Sequence, residues 1–461
     1  YSMRVDQPYS RLEVTVPDAL GQLDLNLYRS CDAIGKARYI GKARFIGSSQ
    51  ELRLVFDVGT ETGTYYVQLL PTPEAQAFPI PYRLRVGLTL IDPDDVYTLI
   101  LTNKPRVQAL FGLNAGDPEL ASWERGLAEL AEVVGGQIVW NVQLDTKDQA
   151  VESAYTAWLA DPGDPAKANA AALALHDWIW VQKQALPHLR YIVLAGDDRI
   201  LPQLRVSIVP MDSTADWARE PDYLAWLPSG AIAAGSPIGK ALAGDFTLSD
   251  DVYGAKVPAA WSGGGLYIPE LPVGRLVERP AHMTAVIDAF LQSGGVLTIT
   301  NSLVAGYDFM QDAAAIADNY LKEAGLLDGK RSQLLQNQSR WDAGALRTQL
   351  FETRKPLALL ALHASHYSYD TPTNEVIESD EVASAGADLS GTLIYALACH
   401  GGLNVSDISD ARPFDFAEAW LSRGATLVGS TGWAYGYTGA TAYQERLMAD
   451  FVQALVAGDG A

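Results

Sequence analysis

From Tyr97 to Val456, short apolar runs alternate with longer stretches of helical period, and this alternation restricts the fold more than any other feature. Tyr97–Thr102, Gln137–Val142, Tyr191–Ala195, Pro272–Leu276, Val296–Ala305, Ser332–Leu335, Pro356–Leu362, Thr392–Ala398 and Ala425–Ser430 read as buried strands. Between them, Leu120–Val134, Ala168–Leu186, Pro280–Gln292, Phe309–Ala324, Ala343–Thr353, Phe414–Ser422 and Tyr443–Val456 carry apolar residues at helical spacing. Strand–helix alternation implies parallel βαβ units, so the expected fold class is α/β. Two successive halves, about 95–210 and 270–461, show the pattern. Residues 203–268 interrupt it with an irregular stretch rich in Gly, Ala, Pro and Trp. So long an interruption is expected to be a functional or covering loop.

Residues before Pro93 follow a different rule. Leu12–Val16, Leu23–Tyr28, Leu52–Phe56, Tyr65–Leu69 and Tyr82–Val86 are short, mostly alternating and divided by turn residues such as Gly63, as in a small β-sandwich. Asp24-Leu25-Asn26-Leu27-Tyr28, Gly63-Thr64-Tyr65-Tyr66-Val67 and Tyr82-Arg83-Leu84-Arg85-Val86 together resemble bacterial pre-peptidase C-terminal domains. That resemblance implies a domain accompanying a secreted peptidase. The expected division is therefore a sandwich over 1–90, an α/β subdomain over 91–268 and a second α/β subdomain over 269–461.

Composition removes several function classes. The 55 acidic residues outweigh 34 basic ones, for a net charge of −21, and no basic stripe interrupts the excess, which argues against nucleic acid as a partner. The longest apolar runs are seven or eight residues, against about twenty for a membrane helix. Two cysteines, Cys31 and Cys399, cannot build a disulfide framework. The chain opens at Tyr1 without a signal peptide, as a processed product would, and its Ala-Gly-Asp-Gly-Ala end is compatible with a longer natural chain.

In open α/β sheets, ligands and reacting groups gather beyond the carboxyl ends of the strands. Pro356–Leu362 ends in His363-Ala364-Ser365-His366, and Thr392–Ala398 ends in Cys399-His400-Gly401-Gly402. A lone cysteine or histidine in such a place is usually structural, but both at equivalent strand ends, 36 residues apart, point to a pair. A free thiol is mostly protonated at neutral pH, so a neighbouring imidazole is needed to take its proton and later return it to a leaving amine. Backbone N–H groups at Ala364, His400 and Gly401 are the expected oxyanion donors, with small residues allowing close approach.

His-Ala-Ser after one strand and Ala-Cys-His-Gly-Gly after the next resemble the caspase-like fold, and within it the gingipain family of bacterial cysteine endopeptidases. Leu194-Ala195-Gly196-Asp197-Asp198 with Leu201-Pro202 supports this, as do Asp251-Val252-Tyr253-Gly254 and Leu271-Pro272-Val273-Gly274-Arg275-Leu276. So do Phe416-Ala417-Glu418-Ala419 and Gly429-Ser430-Thr431-Gly432-Trp433, in the same order over about residues 95–461. The resemblance implies a three-layer α/β/α fold in two subdomains, a polypeptide substrate, no required cofactor and a secreted or cell-surface bacterial location. By this match Cys399 is the nucleophile and His363 the general acid/base. Ala364 replaces the glycine usual after that histidine, and His366 is the alternative base. The match gives Asp308 the role of orienting acid, although it also suits a helix cap, and gives Asp312 and Trp433 places in a specificity pocket. An acidic pocket favours arginine or lysine, while related families cut after aspartate or asparagine.

Other classes stay open at this level. His363, His366, Cys399 and His400 could instead ligate a metal. The chain could be a non-catalytic scaffold or surface-binding protein. Asp245–Asp251 and Asp407–Asp410 offer oxygen ligands for a structural Ca2+.

Overall fold

Alternating side chains build the N-terminal region. The computed structural model describes residues 1–458 apart from 18, 20–21, 32–35, 46–50, 59–61, 74, 76–79, 115, 208–217, 262–263, 339, 407–413 and 439. Ser2–Val5, Gly63–Pro71, Leu23–Cys31 and Lys36–Lys42 form one antiparallel sheet in that spatial order. Arg44–Phe45, Leu52–Asp57, Ser10–Val16 and Arg85–Leu90 form the other. Leu12, Val14 and Val16 of one sheet and Leu25, Leu27, Tyr65 and Val67 of the other close a shared core. The strand expected over Tyr82–Val86 starts at Arg85 and runs to Leu90.

Two parallel sheets follow. The first has the order Gly136–Val139, Thr98–Leu101, Tyr191–Ala195, Val273–Leu276, and the second Arg331–Leu335, Ser302–Gly306, Leu357–Ala361, Leu393–Leu397, Thr426–Gly429. Numbered along the chain within each sheet, the orders are 2-1-3-4 and 2-1-3-4-5. Val273–Leu276 was expected to open the second half but is the last strand of the first sheet, so the division at residue 269 falls too early for the sheets. Pro280–Gln292 links the two halves by packing on both Pro118–Val133 and Phe416–Ser422.

The second sheet shows why its strands read as unbroken apolar runs. Leu303, Ala305, Ala358, Leu360, Ile394 and Ala396 face one side, against Trp341, Leu346, Phe416 and Trp420. Val304, Leu357, Leu359, Ala361, Leu393, Tyr395 and Leu397 face the other, against Ala313, Ala314, Ala317, Leu321, Met448 and Val452. Both faces are covered, as a parallel sheet requires. The strand expected from Val296 begins only at Ser302; the turn at Gly294 and Gly295 lies before it, and Leu297 and Ile299 pack on the core without pairing.

The described residues of 203–268 are not the irregular loop expected. Leu204–Ser207 pairs with Phe246–Ser249, Ala259–Trp261 pairs with Gly264–Leu266, and Glu220–Trp226, Pro237–Ala243 and Asp251–Gly254 are helical. Elements of three to seven residues are too short to display a period. Tyr223, Leu227, Ile238, Leu242 and Leu248 from this segment form a small core with Tyr367, Leu403 and Val405, beside the strand ends of the second sheet.

Candidate active site

Register places the principal residues. Gly306, Ala361 and Leu397 lie in one row across three adjacent parallel strands. Two residues further along each strand are Asp308, His363 and Cys399. The ladder persists past the row, with the Tyr307 N–H donating to the Ala361 carbonyl (3.3 Å) and the Leu362 N–H to the Leu397 carbonyl (3.1 Å). Strand order reverses between the Asp308 and His363 strands, the position where open α/β sheets leave a crevice. Gly306 lets the following helix approach, since a Cβ there would lie 2.7 Å from the Ala314 Cβ.

Asp308 and His363 form a pair, with the His363 Nε2 3.2 Å from Asp308 Oδ2. Asp308 adopts a left-handed φ of 56°, and its N–H donates to Gln336 Oε1 at 2.7 Å. Neither the short 3₁₀ turn Asp308–Met310 nor the helix Gln311–Glu323 carries a side-chain cap, so the Asp308 carboxylate serves the histidine and not a helix end. Tyr307 and Phe309 meet the His363 ring edge-on at 5.4 and 6.1 Å. The pair is open to solvent, with side-chain exposures of 42% for His363 and 57% for Asp308.

Cys399 is a free, half-buried thiol. The Ala434 N–H donates to its sulfur at 3.4 Å, and the Ala434 carbonyl lies 3.8 Å away. Burial pushes the thiol pKa up, the Glu220 charge adds to that, and the N–H groups of Ala434 and of Cys399 itself oppose it. The resting sulfur is therefore held as a thiol.

Two expected oxyanion donors are already spent. The His400 N–H donates to the Gly432 carbonyl (2.8 Å), and the Gly401 N–H to that of Ala398 (3.4 Å). His400, with φ of 54°, turns the chain so that its own N–H meets the segment after the neighbouring strand while that of Gly401 closes the turn on itself. Ala364 differs. Its bridge to Tyr369 uses the N–H groups of Ser365 and Asp370, leaving its own N–H outside the pairing.

The remaining expected residues divide between buried and exposed places. His366 is buried, its Nδ1 2.6 Å from the Tyr223 hydroxyl, which also accepts the His366 backbone N–H at 3.0 Å. It is turned inward, while His363 is exposed, so the alternative base is the less accessible ring. His400 is fully buried, with Nε2 2.8 Å from Glu220 Oε2 and its ring stacked on Tyr223 at 3.4 Å. Burial lowers its pKa, and Glu220 works against that shift. Trp433 is half-buried and edge-on to His400 at 5.2 Å, where it packs with Tyr223. Asp312 is exposed in the first turn of Gln311–Glu323.

Glu220 and Tyr223 were not anticipated. Both lie on the short helix Glu220–Trp226, inside the segment that reads as irregular. A signal was present: Pro221 after Glu220, with Asp222 in the same turn, is a helix-start pattern. The three rings at the strand ends are turned to separate partners, His363 to Asp308, His366 to Tyr223 and His400 to Glu220, which does not suit the metal reading. Among the described residues no group of three or more His, Cys, Asp and Glu side chains is placed to hold a metal ion. Asp245 is engaged with Arg219 (2.8 Å) and the Glu220 N–H (3.0 Å), and Asp250 with Arg275 (2.6 Å). Asp407–Asp410 lies outside the described residues.

No protein-family model matches the chain, and no curated protein matches it. Among solved structures, the chain is similar to one named "Structure of Protease", at 12% identity and a TM-score of 0.42, over 77% of this chain and 64% of that one. The match thus spans just under two-thirds of that protein's length. Among the described residues no helix is long and apolar enough to cross a membrane.

Proposed function

We propose that the chain is a cysteine endopeptidase of the caspase-like, gingipain-like type, with Cys399 as nucleophile, His363 as general acid/base and Asp308 as orienting carboxylate. The observation that carries this reading is the row of three strand ends, each delivering one of these residues two positions beyond a shared register level. With His363 Nε2 directed to Asp308, Nδ1 is the ring nitrogen left for the thiol proton. Because burial keeps the sulfur protonated at rest, that proton has to leave as attack occurs.

The steps follow from these positions. His363 takes the Cys399 proton while Sγ bonds to the scissile carbonyl carbon. The Ala364 N–H, outside its strand pairing, is the donor available to the developing oxyanion, an interaction worth about 10²–10³ in rate per donor in related chemistry. His363 then returns the proton to the leaving amine as the C–N bond breaks, leaving a thioester. Water, deprotonated by His363, attacks the thioester and restores the thiol. The net charge of −21, with Asp312 close to Asp308 in sequence, supports a preference for basic side chains, and the sandwich supports a secreted or surface-attached peptidase.

The direct test is Cys399→Ala assayed on a peptide library. Turnover is expected to vanish while circular dichroism and melting temperature are unchanged, and normal cleavage by this variant would sink the mechanism. A non-catalytic scaffold is the second reading, supported by the resting protonation of the buried thiol. It requires that no peptidyl electrophile, with basic, acidic or amide side chains, labels Cys399.

A further inference from the structure

One short helix reaches both loops of the proposed site. We propose that Glu220 and Tyr223, on the helix Glu220–Trp226, are positioning residues that hold the Cys399–Gly402 turn and the His363–His366 loop together in working geometry; this rests on the peptidase reading given above.

The case is geometric. The Tyr223 hydroxyl engages His366 twice, accepting its backbone N–H at 3.0 Å and meeting its Nδ1 at 2.6 Å. The face of the same phenol stacks on His400 at 3.4 Å and 3°. One side chain thus contacts the residue three positions after the proposed base and the residue directly after the nucleophile. Glu220 fixes the second coordinate of the His400 ring through the 2.8 Å contact to Nε2. The other ring nitrogen, Nδ1, is buried without a hydrogen-bond partner among the described residues, and Glu220 supplies the ring's polar anchor.

Two further observations explain why such anchoring matters. His400 is a non-glycine residue at a left-handed φ of 54°, a conformation that surrounding contacts have to sustain. Glu220 also abuts Gly432, where a Cβ would come within 2.8 Å of Glu220 Oε1, and the Gly432 carbonyl accepts the His400 N–H. Glu220 is itself fixed by the Thr247 hydroxyl at 2.9 Å and through its own N–H to Asp245. The helix, the nucleophile turn and the Ser430–Tyr435 segment are therefore one interlocked unit. The titratable groups that interact electrostatically with Cys399 are the Glu220 carboxylate and the Tyr223 and Tyr435 phenols. Of these, the Glu220 charge disfavours the thiolate.

Two near-isosteric variants separate positioning from mere packing. Tyr223→Phe keeps the ring on His400 and removes the bridge to His366; kcat on the peptide library is expected to fall on the order of a hundredfold, with KM within about twofold, as for slight misplacement of reacting groups. Glu220→Gln keeps an acceptor for the His400 ring and removes the charge; it is expected to retain most activity, while Glu220→Ala loses it. Iodoacetamide alkylation of Cys399 across pH, read by intact mass, gives an independent signal. Its midpoint should move to lower pH in Glu220→Gln, with melting temperature close to that of the parent chain. Wild-type kcat in Tyr223→Phe together with an unmoved alkylation midpoint in Glu220→Gln overturns the proposal. If either variant fails to fold, the other decides it. Should the parent chain cleave no peptide while the alkylation midpoint still shifts, the peptidase reading fails and the positioning of Cys399 stands.

Discussion

The two parallel sheets share a strand order and use it in opposite ways. In the second, the ends of strands 1, 3 and 4 present Asp308, His363 and Cys399, with the first two largely open to solvent. In the first, the ends of strands 1, 3 and 4 lead to Lys104, Asp197-Asp198 and Glu278, and every one of these polar groups is buried and partnered inside the molecule. Lys104 contacts Glu124, Asp197 and Glu278 share Arg199 at 2.6 and 2.5 Å, and Asp198 holds Arg205 at 2.6 Å. The topology supplies a crevice position in both halves. Which residues follow each strand decides whether that position becomes an open site or a sealed seam.

That contrast is broken most sharply at His363. His363→Ala is expected to lower kcat about 10²–10⁴-fold, the usual contribution of a positioned acid/base, with no fall in melting temperature. Unaltered kcat would mean that the second crevice is as inert as the first. The converse holds for Asp198→Ala, which strands the Arg205 guanidinium, 1% exposed, without its carboxylate. A loss of about 3–5 kcal/mol of stability is expected from breaking a buried pair on one side, measured by urea denaturation. A shift smaller than ~1 kcal/mol would show that the first crevice admits water and is not sealed.

Much of this difference was legible in the residues. Apolar strands faced on both sides, such as Leu357–Ala361, announce a parallel sheet, and the residues after each strand single out His363 and Cys399, while Asp308 comes in through the family resemblance. What strand-end reading cannot supply is the partner. Glu220 lies 180 positions from His400 in sequence, and Tyr223 143 from His366, so no local spacing links them. Two of the three expected oxyanion donors, His400 and Gly401, are engaged elsewhere for a related reason. Whether the His400 N–H is free depends on its left-handed φ and on Gly432, brought in by the neighbouring strand. The placement of Val273–Leu276 in the first sheet likewise rests on pairing with Tyr191–Ala195 across the whole intervening segment.

A smaller effect tests the exposed pair. Asp308→Asn keeps the side-chain size and removes the charge facing His363, across a 3.2 Å contact that solvent reaches. Screening makes the carboxylate less decisive here than in a buried triad, so kcat should fall only about ten- to a hundredfold. Loss of activity as deep as in His363→Ala would instead assign Asp308 a direct part in the chemistry.

A pH-dependent effect lies where the two halves meet. Asn404 Nδ2 contacts Asp415 at 2.9 Å and Glu278 at 3.4 Å, joining the strand end of the first sheet to the second half. Burial and the nearby Glu418 charge push Asp415 up from 3.8 to about 7, and burial with the Asp197 charge raises Glu278 as well. A carboxyl with a raised folded-state pKa holds its proton longer folded than unfolded, so its contribution to stability is complete below the unfolded value and is lost as pH climbs through the folded one. For Asp415 the window runs from about 4 to about 7. Asp415→Asn, neutral at every pH, should therefore gain stability relative to the parent chain as pH rises across that window, in urea titrations at fixed ionic strength. Parallel stability curves for the two chains would mean that Asp415 is already ionised when folded, and that the seam between the halves tolerates charge as readily as the open crevice does.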